Sequence, residues 1–191
     1  MPAMDAIILA AGASSRMGRP KALLLRRGQT FLARAIQAAR CSGALRVLVV
    51  VAPPHADLLA GEVERWGGQV VRNPNPELGQ VRSMAVGLEA ARGAAALIAP
   101  VDVPDWNPAT GALLLAAAGD AVHIPIFGGT RGHPIRVPLR LAAALHDAQP
   151  DESARDVFAR LRVPQIQHAV EDPGVLLDVD TPAEYARLEA R

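Results

Sequence analysis

The chain has 191 residues, of which 50% are hydrophobic, so it is long and apolar enough to bury one core and is not expected to be disordered. Its formal net charge is +1 and only 3% of its residues are aromatic, which excludes a strongly basic nucleic-acid surface and a base-stacking platform. The single cysteine, Cys41, excludes an internal disulfide and a multi-cysteine zinc site.

No segment predicts export or insertion into a membrane. The N-terminus lacks a basic segment followed by a long apolar core, so no signal peptide is expected. The most apolar later stretch, residues 112–118, is too short to span a bilayer. We therefore expect a cytoplasmic protein that has neither a membrane nor a nucleic acid as a partner.

The first predicted element is a buried parallel strand over residues 6–10, which leads into a loop of small residues at 11–15. Small residues allow a ligand to approach backbone N–H groups, which together form a concave site for anions. Three cations follow at once, Arg16, Arg19 and Lys21, and such side chains donate charge-assisted hydrogen bonds to phosphate. The pattern indicates a binding loop for a polyphosphate.

Two commoner phosphate-binding loops do not fit this segment. Five residues separate Gly12 from Gly18, Lys21 does not follow Gly18 directly, and Ala22 stands where a P-loop needs a hydroxyl. The dinucleotide pattern lacks its paired glycines because alanines surround Gly12. The remaining alternative is an ordinary strand-to-helix loop with exposed basic residues.

Further along the chain, apolar strand candidates alternate with segments of helical period, which is typical of a parallel α/β sheet. The later strands are predicted at 46–52, 69–72, 95–101, 121–127 and 175–179. Helices are predicted at 31–41, from after Pro54 to 66, at 80–92, from Pro108, at 139–147, at 153–161 and from Pro182. Expected N-caps are Thr30, Asn107, Asp151 and Thr181, the last in a capping box with Glu184, and residues 128–134 form a glycine-rich loop. We expect one domain over residues 1–191, in which a subregion at about 121–170 shapes an acceptor pocket.

Asp102 directly follows the predicted strand 95–101, and ligands of open parallel sheets bind at the carboxyl ends of strands. A carboxylate beside a polyphosphate is repelled by it unless a divalent cation lies between them, and Mg²⁺ prefers one or two carboxylates plus phosphate oxygens. The alternative is that Asp102 only stabilises a turn or caps a helix.

A second pair of carboxylates, Asp178 and Asp180, closes the predicted strand 175–179. Alternate strand residues share a face, so the two side chains are expected to point the same way and to offer a second metal contact. The alternative is that they only stabilise the N-terminus of the following helix.

Two further stretches are weaker candidates. Gly79 and Ser83 flank a predicted helix start, which offers backbone donors and a hydroxyl, although an incidental serine explains the pattern equally well. Arg131 and His133 lie in the glycine-rich loop, where a structural histidine is the alternative. No histidine pair has metal-ligand spacing: His123 and His133 do not share a helical face, and His146 and His168 stand alone in the sequence.

Residues 9–21, Leu-Ala-Ala-Gly-Ala-Ser-Ser-Arg-Met-Gly-Arg-Pro-Lys, resemble the signature of the nucleotidyltransferases related to the molybdenum cofactor enzymes, above all the cytidylyl-transferring branch. The resemblance implies a single-domain Rossmann-like three-layer sandwich with a mostly parallel central sheet and the following roles. Nucleotide-binding residues are Leu9, Ala10, Ala11, Gly12, Arg16, Lys21, Gly79 and Ser83; catalytic residues are Arg16, Lys21 and Asp102; Asp102 and Asp180 bind Mg²⁺; and Arg131, His133 and Asp178 contact the acceptor. Val103 departs from the family's usual Asp-Gln-Pro run.

The same resemblance implies an activity. It is the transfer of CMP from CTP to the phosphate of molybdopterin or its molybdenum form, with release of pyrophosphate and a client molybdoenzyme as a further partner. Ala11 favours CTP, because the guanylyl branch typically has glycine there. The alternatives are a transferase acting on a sugar or polyol phosphate, and a non-catalytic partner that only carries the cofactor to an enzyme.

Overall fold

The computed structural model describes residues 4–14, 17–149 and 151–190, and a central sheet organises them. The strands are β1 (Asp5–Leu9), β2 (Leu25–Arg26), β3 (Gln29–Thr30), β4 (Val47–Val51), β5 (Gln69–Arg72), β6 (Ala95–Pro100), β7 (Val122–Phe127), β8 (Thr130–Arg131), β9 (Ile135–Pro138) and β10 (Gln165–Ala169). The helices are α1 (Phe31–Cys41), α2 (Ala56–Arg65), α3 (Gly79–Ala90), α4 (Pro108–Ala116), α5 (Ala142–His146), α6 (Ala154–Arg160) and α7 (Pro182–Glu189).

The strand order in the central sheet is β10-β7-β9-β6-β1-β4-β5, with β8 added beside β7. β1 pairs in parallel with both β4 and β6, β4 pairs in parallel with β5, and β7 pairs in parallel with β10. Only β8 and β9 run antiparallel to their neighbours, while β2 and β3 form a separate hairpin. The prediction of a mostly parallel sheet is confirmed.

Hydrophobic cores cover both faces of this sheet, because successive strand residues point to opposite sides. In β1, Ala6 and Ile8 pack toward α1, α2, α4 and α7, whereas Ile7 and Leu9 pack toward α3, α5 and α6. The result is the predicted single-domain α/β sandwich of three layers, with the sheet in the middle. β1, β4 and β6 are buried along their whole length, as expected for central parallel strands.

Helix boundaries follow the capping signals of the sequence. The Thr30 hydroxyl accepts the Ala33 N–H at the start of α1, and the Asn107 side chain accepts the Ala109 N–H before α4. Thr181 and Glu184 form the predicted capping box of α7. The cap of α6 was predicted wrongly: Ser153, rather than Asp151, caps the helix, and its hydroxyl accepts the Asp156 N–H in a second capping box.

The strand predicted at 175–179 is also wrong. Residues Pro173–Leu176 form a 3-10 turn, and residues 177–180 have no regular structure. The cause is local, since the Asp172 carboxylate accepts the Gly174 N–H and Pro173 sets the first backbone angle of the turn. Val175 and Leu177 therefore pack against the core without pairing with a neighbouring strand, while Leu176 between them is exposed.

Five short strands were not predicted: β2 and β3 of the separate hairpin, and β8, β9 and β10 of the central sheet. β10 lies at the edge of the sheet and carries Gln165, Gln167 and His168, so it lacks the apolar pattern of a buried strand. β8 and β9 come from the glycine-rich loop and the segment after it. Among the described residues, no helix is both long and apolar enough to cross a membrane.

Candidate active site

The loops that follow the central parallel strands surround a cleft of about 610 Å³ at one edge of the sheet. β1 and β6 are neighbours and run in the same direction, so the loop after β1 and the turn after β6 open to the same side. The predicted residues that line this cleft are Leu9, Ala10, Ala11, Gly12, Lys21, Gly79, Ser83 and Asp102. Arg16, the remaining predicted nucleotide-binding residue, lies outside the described residues.

Lys21 joins two chain segments that are distant in sequence. Its Nζ donates a hydrogen bond of 2.8 Å to Asp102 Oδ2 and a second, short one to Asp180 Oδ1. Only 12% of its side chain is exposed, and its backbone N–H donates to Ser14 Oγ at 3.0 Å. Partial burial lowers the pKa of Lys21, but the two carboxylate hydrogen bonds outweigh it and the net pKa is raised. The Lys21 side chain is therefore a positively charged ammonium that two carboxylates hold in place.

Asp102, Asp178 and Asp180 form a carboxylate cluster in which one oxygen of each residue lies within 4.8 Å of the others. Desolvation and the neighbouring charges of Asp102 and Asp180 raise the pKa of Asp178 to about 6. Three convergent carboxylate oxygens are the donor set that Mg²⁺ and Mn²⁺ prefer. The residues present thus fit a divalent cation, although Asp178 and Asp180 do not come from a strand as predicted.

Backbone hydrogen bonds fix the loop that carries Asp178 and Asp180. The Val179 N–H donates to the Asp102 carbonyl at 3.1 Å, which ties the two carboxylate loops together. The Glu184 carboxylate of the α7 capping box accepts the N–H of Asp180 at 2.8 Å. The capping box therefore positions a cluster residue as well as starting a helix.

A buried carboxylate, Asp172, links this loop to α4. It accepts hydrogen bonds from the Asn107 N–H at 2.8 Å, from the Thr110 hydroxyl at 2.7 Å and from the Gly174 N–H at 3.0 Å. Gly174 sits against the Asp105 carbonyl so closely that an added Cβ would lie 2.2 Å from its oxygen. The loop after β6 and the loop before α7 therefore pack as one unit.

Sequence reasoning missed several residues on the opposite wall of this cleft. Asn73 is fully buried and donates from Nδ2 to Ser83 Oγ at 3.1 Å, so it orients the predicted serine. His55, Pro76 and Gln80 line the cleft directly, whereas Asn73 acts on it through Ser83. The strand-end rule could have found this wall, because its loops follow the parallel strands β4 and β5.

A second cleft of about 590 Å³ adjoins the first and contains Arg131 and His133. The two clefts share a wall of Leu9, Gln80 and Pro100. Arg131 donates a short hydrogen bond to Gln165 Oε1, and burial lowers the pKa of His133 while Asp102 opposes the shift. Most of the lining comes from residues 122–165, within the subregion predicted to shape the acceptor pocket.

His168 does not stand alone as predicted. Its Nε2 lies 2.9 Å from Nδ1 of His123, and the two rings are stacked. His146 likewise pairs with Glu89. Neither pair borders the two clefts, so these histidines play no part in the candidate active site.

Comparison with known proteins gives a consistent result. A family model described as the MobA-like NTP transferase domain matches residues 6–169. Phosphoenolpyruvate guanylyltransferase of Rubrobacter xylanophilus is 35% identical, covering 94% of this chain and 88% of that protein. Molybdenum cofactor cytidylyltransferase of Escherichia coli is 25% identical, covering 100% of this chain and 98% of that protein.

Among solved structures, Rv0371c of Mycobacterium tuberculosis aligns over 100% of both chains, with 26% identity and a TM-score of 0.83. The same protein has also been solved in complex with manganese; that structure gives a TM-score of 0.77 at 25% identity over 97% of each chain. A divalent metal is therefore plausible for proteins of this fold.

Proposed function

Since the chain belongs to the MobA-like NTP transferase family and is a nucleotidyltransferase, we propose that it transfers CMP from CTP to the phosphate of molybdopterin or its molybdenum form. Pyrophosphate leaves, and a client molybdoenzyme receives the product. A cytoplasmic location, expected from the sequence, is part of the same proposal. Support for this acceptor comes from the signature at 9–21 and the Gly-His-Pro element at 132–134.

The observation that carries the proposal is the contact of Lys21 with two carboxylates at the first cleft, which Lys21 and Asp102 line. A cation, an acidic cluster and a loop of small residues are the parts that an α-phosphate transfer needs. The reaction needs no covalent enzyme nucleophile, because the acceptor's own phosphate oxygen attacks the α-phosphorus in line with the departing pyrophosphate. Positioning and charge neutralisation then account for the catalysis.

In this proposal each group has one task. Backbone N–H groups of residues 10–14 bind the triphosphate, and Lys21 and Arg16 neutralise its oxygens as charge moves onto pyrophosphate. Asp102 and Asp180 would hold Mg²⁺, which would supply positive charge to neutralise phosphate oxygens. Asp178 contacts the acceptor. Gly79 and Ser83 read the nucleobase, with Ser83 oriented by Asn73.

The second cleft is assigned to the acceptor. Its lining includes Ile98, Ile124 and Phe158, which suit a flat heterocycle, and its polar groups Arg131 and His133 suit the acceptor's phosphate and ring edges.

The decisive experiment measures pyrophosphate release with each of the four NTPs and Mg²⁺, crossed with molybdopterin, phosphoenolpyruvate and a sugar phosphate. We expect release with CTP and molybdopterin only. Release with GTP or with phosphoenolpyruvate would replace the donor or the acceptor in the proposal. Binding of molybdopterin without release under any combination would favour the non-catalytic carrier.

A further inference from the structure

The ammonium of Lys21 lies among the carboxylate oxygens that the proposed function assigns to a divalent cation. It contacts Asp102 Oδ2 and Asp180 Oδ1, which belong to two of the three carboxylates that converge in the cluster. We infer that Lys21 is a placeholder for the metal: without nucleotide it closes the cluster, and the triphosphate draws it away so that the metal can enter. This inference rests on the proposed function, because it concerns the same site.

The geometry makes the two cations competitors. The ammonium approaches Asp102 at 2.8 Å, and Mg²⁺ binds carboxylate oxygens at about 2.0–2.1 Å, so both cannot hold the same two oxygens. A singly charged ammonium beside a doubly charged ion in a partly buried site is also repelled by it. Metal entry therefore requires the Lys21 side chain to leave.

Lys21 has an alternative partner within reach. It lines the nucleotide cleft together with Gly12 and Ser14, and its own N–H donates to the Ser14 hydroxyl. The end of its flexible four-carbon side chain can therefore turn from the carboxylates to a triphosphate without a change of fold. When Lys21 moves to the phosphates and the metal moves to the carboxylates, every charge keeps an opposite partner.

The residue type fits this exchange. Lys21 is the only lysine of the chain; the remaining 19 of its 20 Lys and Arg residues are arginine. A guanidinium is planar and binds carboxylates as a rigid fork, whereas an ammonium is a compact point charge that more closely resembles a metal ion. A side chain that alternates between a metal position and a phosphate needs this compact charge, which lysine supplies and arginine does not.

The consequence is a coupling between metal and nucleotide. If Lys21 is away from the cluster in a fraction f of the nucleotide-free molecules, the apparent metal affinity is the intrinsic affinity multiplied by f. Phosphates that pull Lys21 away restore the affinity, and the metal strengthens nucleotide binding by the same factor.

The test measures Mn²⁺ affinity without nucleotide by electron paramagnetic resonance in four proteins. Lys21→Met keeps the apolar stem and should bind Mn²⁺ about tenfold or more tightly than the wild type, because the competitor is gone. Arg19→Met removes one positive charge from the same loop and should change the affinity less than threefold. Asp102→Asn should lose Mn²⁺ binding. If Asp102→Asn still binds Mn²⁺, the metal site of the proposed function is wrong. If Asp102→Asn loses binding but Lys21→Met binds Mn²⁺ no better than the wild type, only the placeholder role of Lys21 is wrong.

A second measurement uses the unmodified protein and does not depend on a variant's folding. Labelling with ¹⁵Nζ-lysine gives one lysine side-chain signal, since the chain has one lysine. Titration with Mg²⁺ and a non-reactive CTP analogue should shift this signal in parallel with metal binding. A signal that stays unchanged while Mg²⁺ binds in the absence of the analogue would overturn the exchange.

Discussion

At the scale of single residues, Lys21 is the point where three loops meet. It follows the loop after β1, and it contacts Asp102 from the turn after β6 and Asp180 from the segment before α7. These partners are 81 and 159 residues away in the chain, so the contact exists only when the sheet and α7 are both in place. The site therefore forms only when the whole fold has formed.

Loss of either member of this contact should abolish most activity. We expect Lys21→Ala or Asp102→Ala to lower turnover at least about 100-fold, the usual effect of removing one electrostatic stabiliser. Asp120→Ala removes a carboxylate of comparable size from a surface pair with Arg140 and serves as the control. Near-wild-type turnover in either active-site variant, measured as pyrophosphate release, would contradict the assignment.

The candidate residues could be selected from the sequence, but their partners could not. Asp102 was identified because an apolar strand ends just before it, which is a local pattern. That Lys21 would contact Asp102 and Asp180 directly is a long-range fact, which depends on how far each loop extends from the sheet. Asn73 shows the same limit, since its hydrogen bond to Ser83 joins the loop after β5 to α3.

At the scale of elements, the loops after β6 and before α7 behave as one block. Asp172 holds them by two hydrogen bonds, from the Asn107 N–H and the Thr110 hydroxyl, and Gly174 allows the backbone to approach the Asp105 carbonyl. The strand predicted at 175–179 does not form, because Val175 and Val179 pack into the core and pair with no neighbouring strand. By contrast α1 was predicted to the residue, since Thr30 caps it and the stop Ser42-Gly43 ends it.

Gly174→Ala should separate these loops. Its Cβ would meet the Asp105 carbonyl oxygen at 2.2 Å, a backbone contact that cannot yield easily, so we expect a loss of about 1–3 kcal/mol in the free energy of unfolding and weaker Mn²⁺ binding. Gly61→Ala in α2 is the matched control, since its Cβ meets nothing within 4 Å. Equal unfolding midpoints in urea for the two variants would refute this packing argument.

The paired histidines of β7 and β10 predict how stability depends on pH. Burial lowers the pKa of His123, and the charges of Arg136 and His168 lower it further, so the native state disfavours its protonation. The unfolded chain binds this proton near pH 6.5, so stability is intact above that pH and is lost as the pH falls below it.

We expect His123→Gln to flatten this dependence between pH 7 and pH 5. Burial also lowers the pKa of His133, so part of the slope should remain in the variant. Thermal unfolding of the two proteins at several pH values measures the effect. A wild-type slope no steeper than that of the variant would be inconsistent with the buried neutral histidine.

At the scale of the whole molecule, the site is completed by the last part of the chain. The family model ends at residue 169, yet Asp178, Asp180 and α7 lie beyond it. The same segment supplies Val175, Val179 and Leu188 to one of the two cores, and Arg26 donates to the Leu188 carbonyl. The alternating pattern of strands and helices predicted the layers, and Asp178 and Asp180 predicted a metal contact from the C-terminal segment, although from the end of a strand that the structure does not form.

Removal of residues 170–191 should therefore abolish Mn²⁺ binding and lower the unfolding temperature. Leu188→Ala separates the two effects: it removes a buried side chain, which costs about 2–5 kcal/mol, and leaves all three carboxylates in place. We expect that variant to be less stable but to bind Mn²⁺ with unchanged affinity. Calorimetric titration checks this, and Mn²⁺ binding by the shortened chain would contradict the role of the segment.

The shared wall of Leu9, Gln80 and Pro100 has a practical consequence for inhibitor design. Because the two clefts meet there, the proposed function predicts that a single compound can occupy both: a cytidine joined through a short phosphate bridge to a flat heterocycle. Such a compound loses translational and rotational entropy once on binding, whereas two separate ligands lose it twice, so it should bind more tightly than either half alone. Its best bridge length would measure, in solution, how far apart the enzyme holds its two substrates.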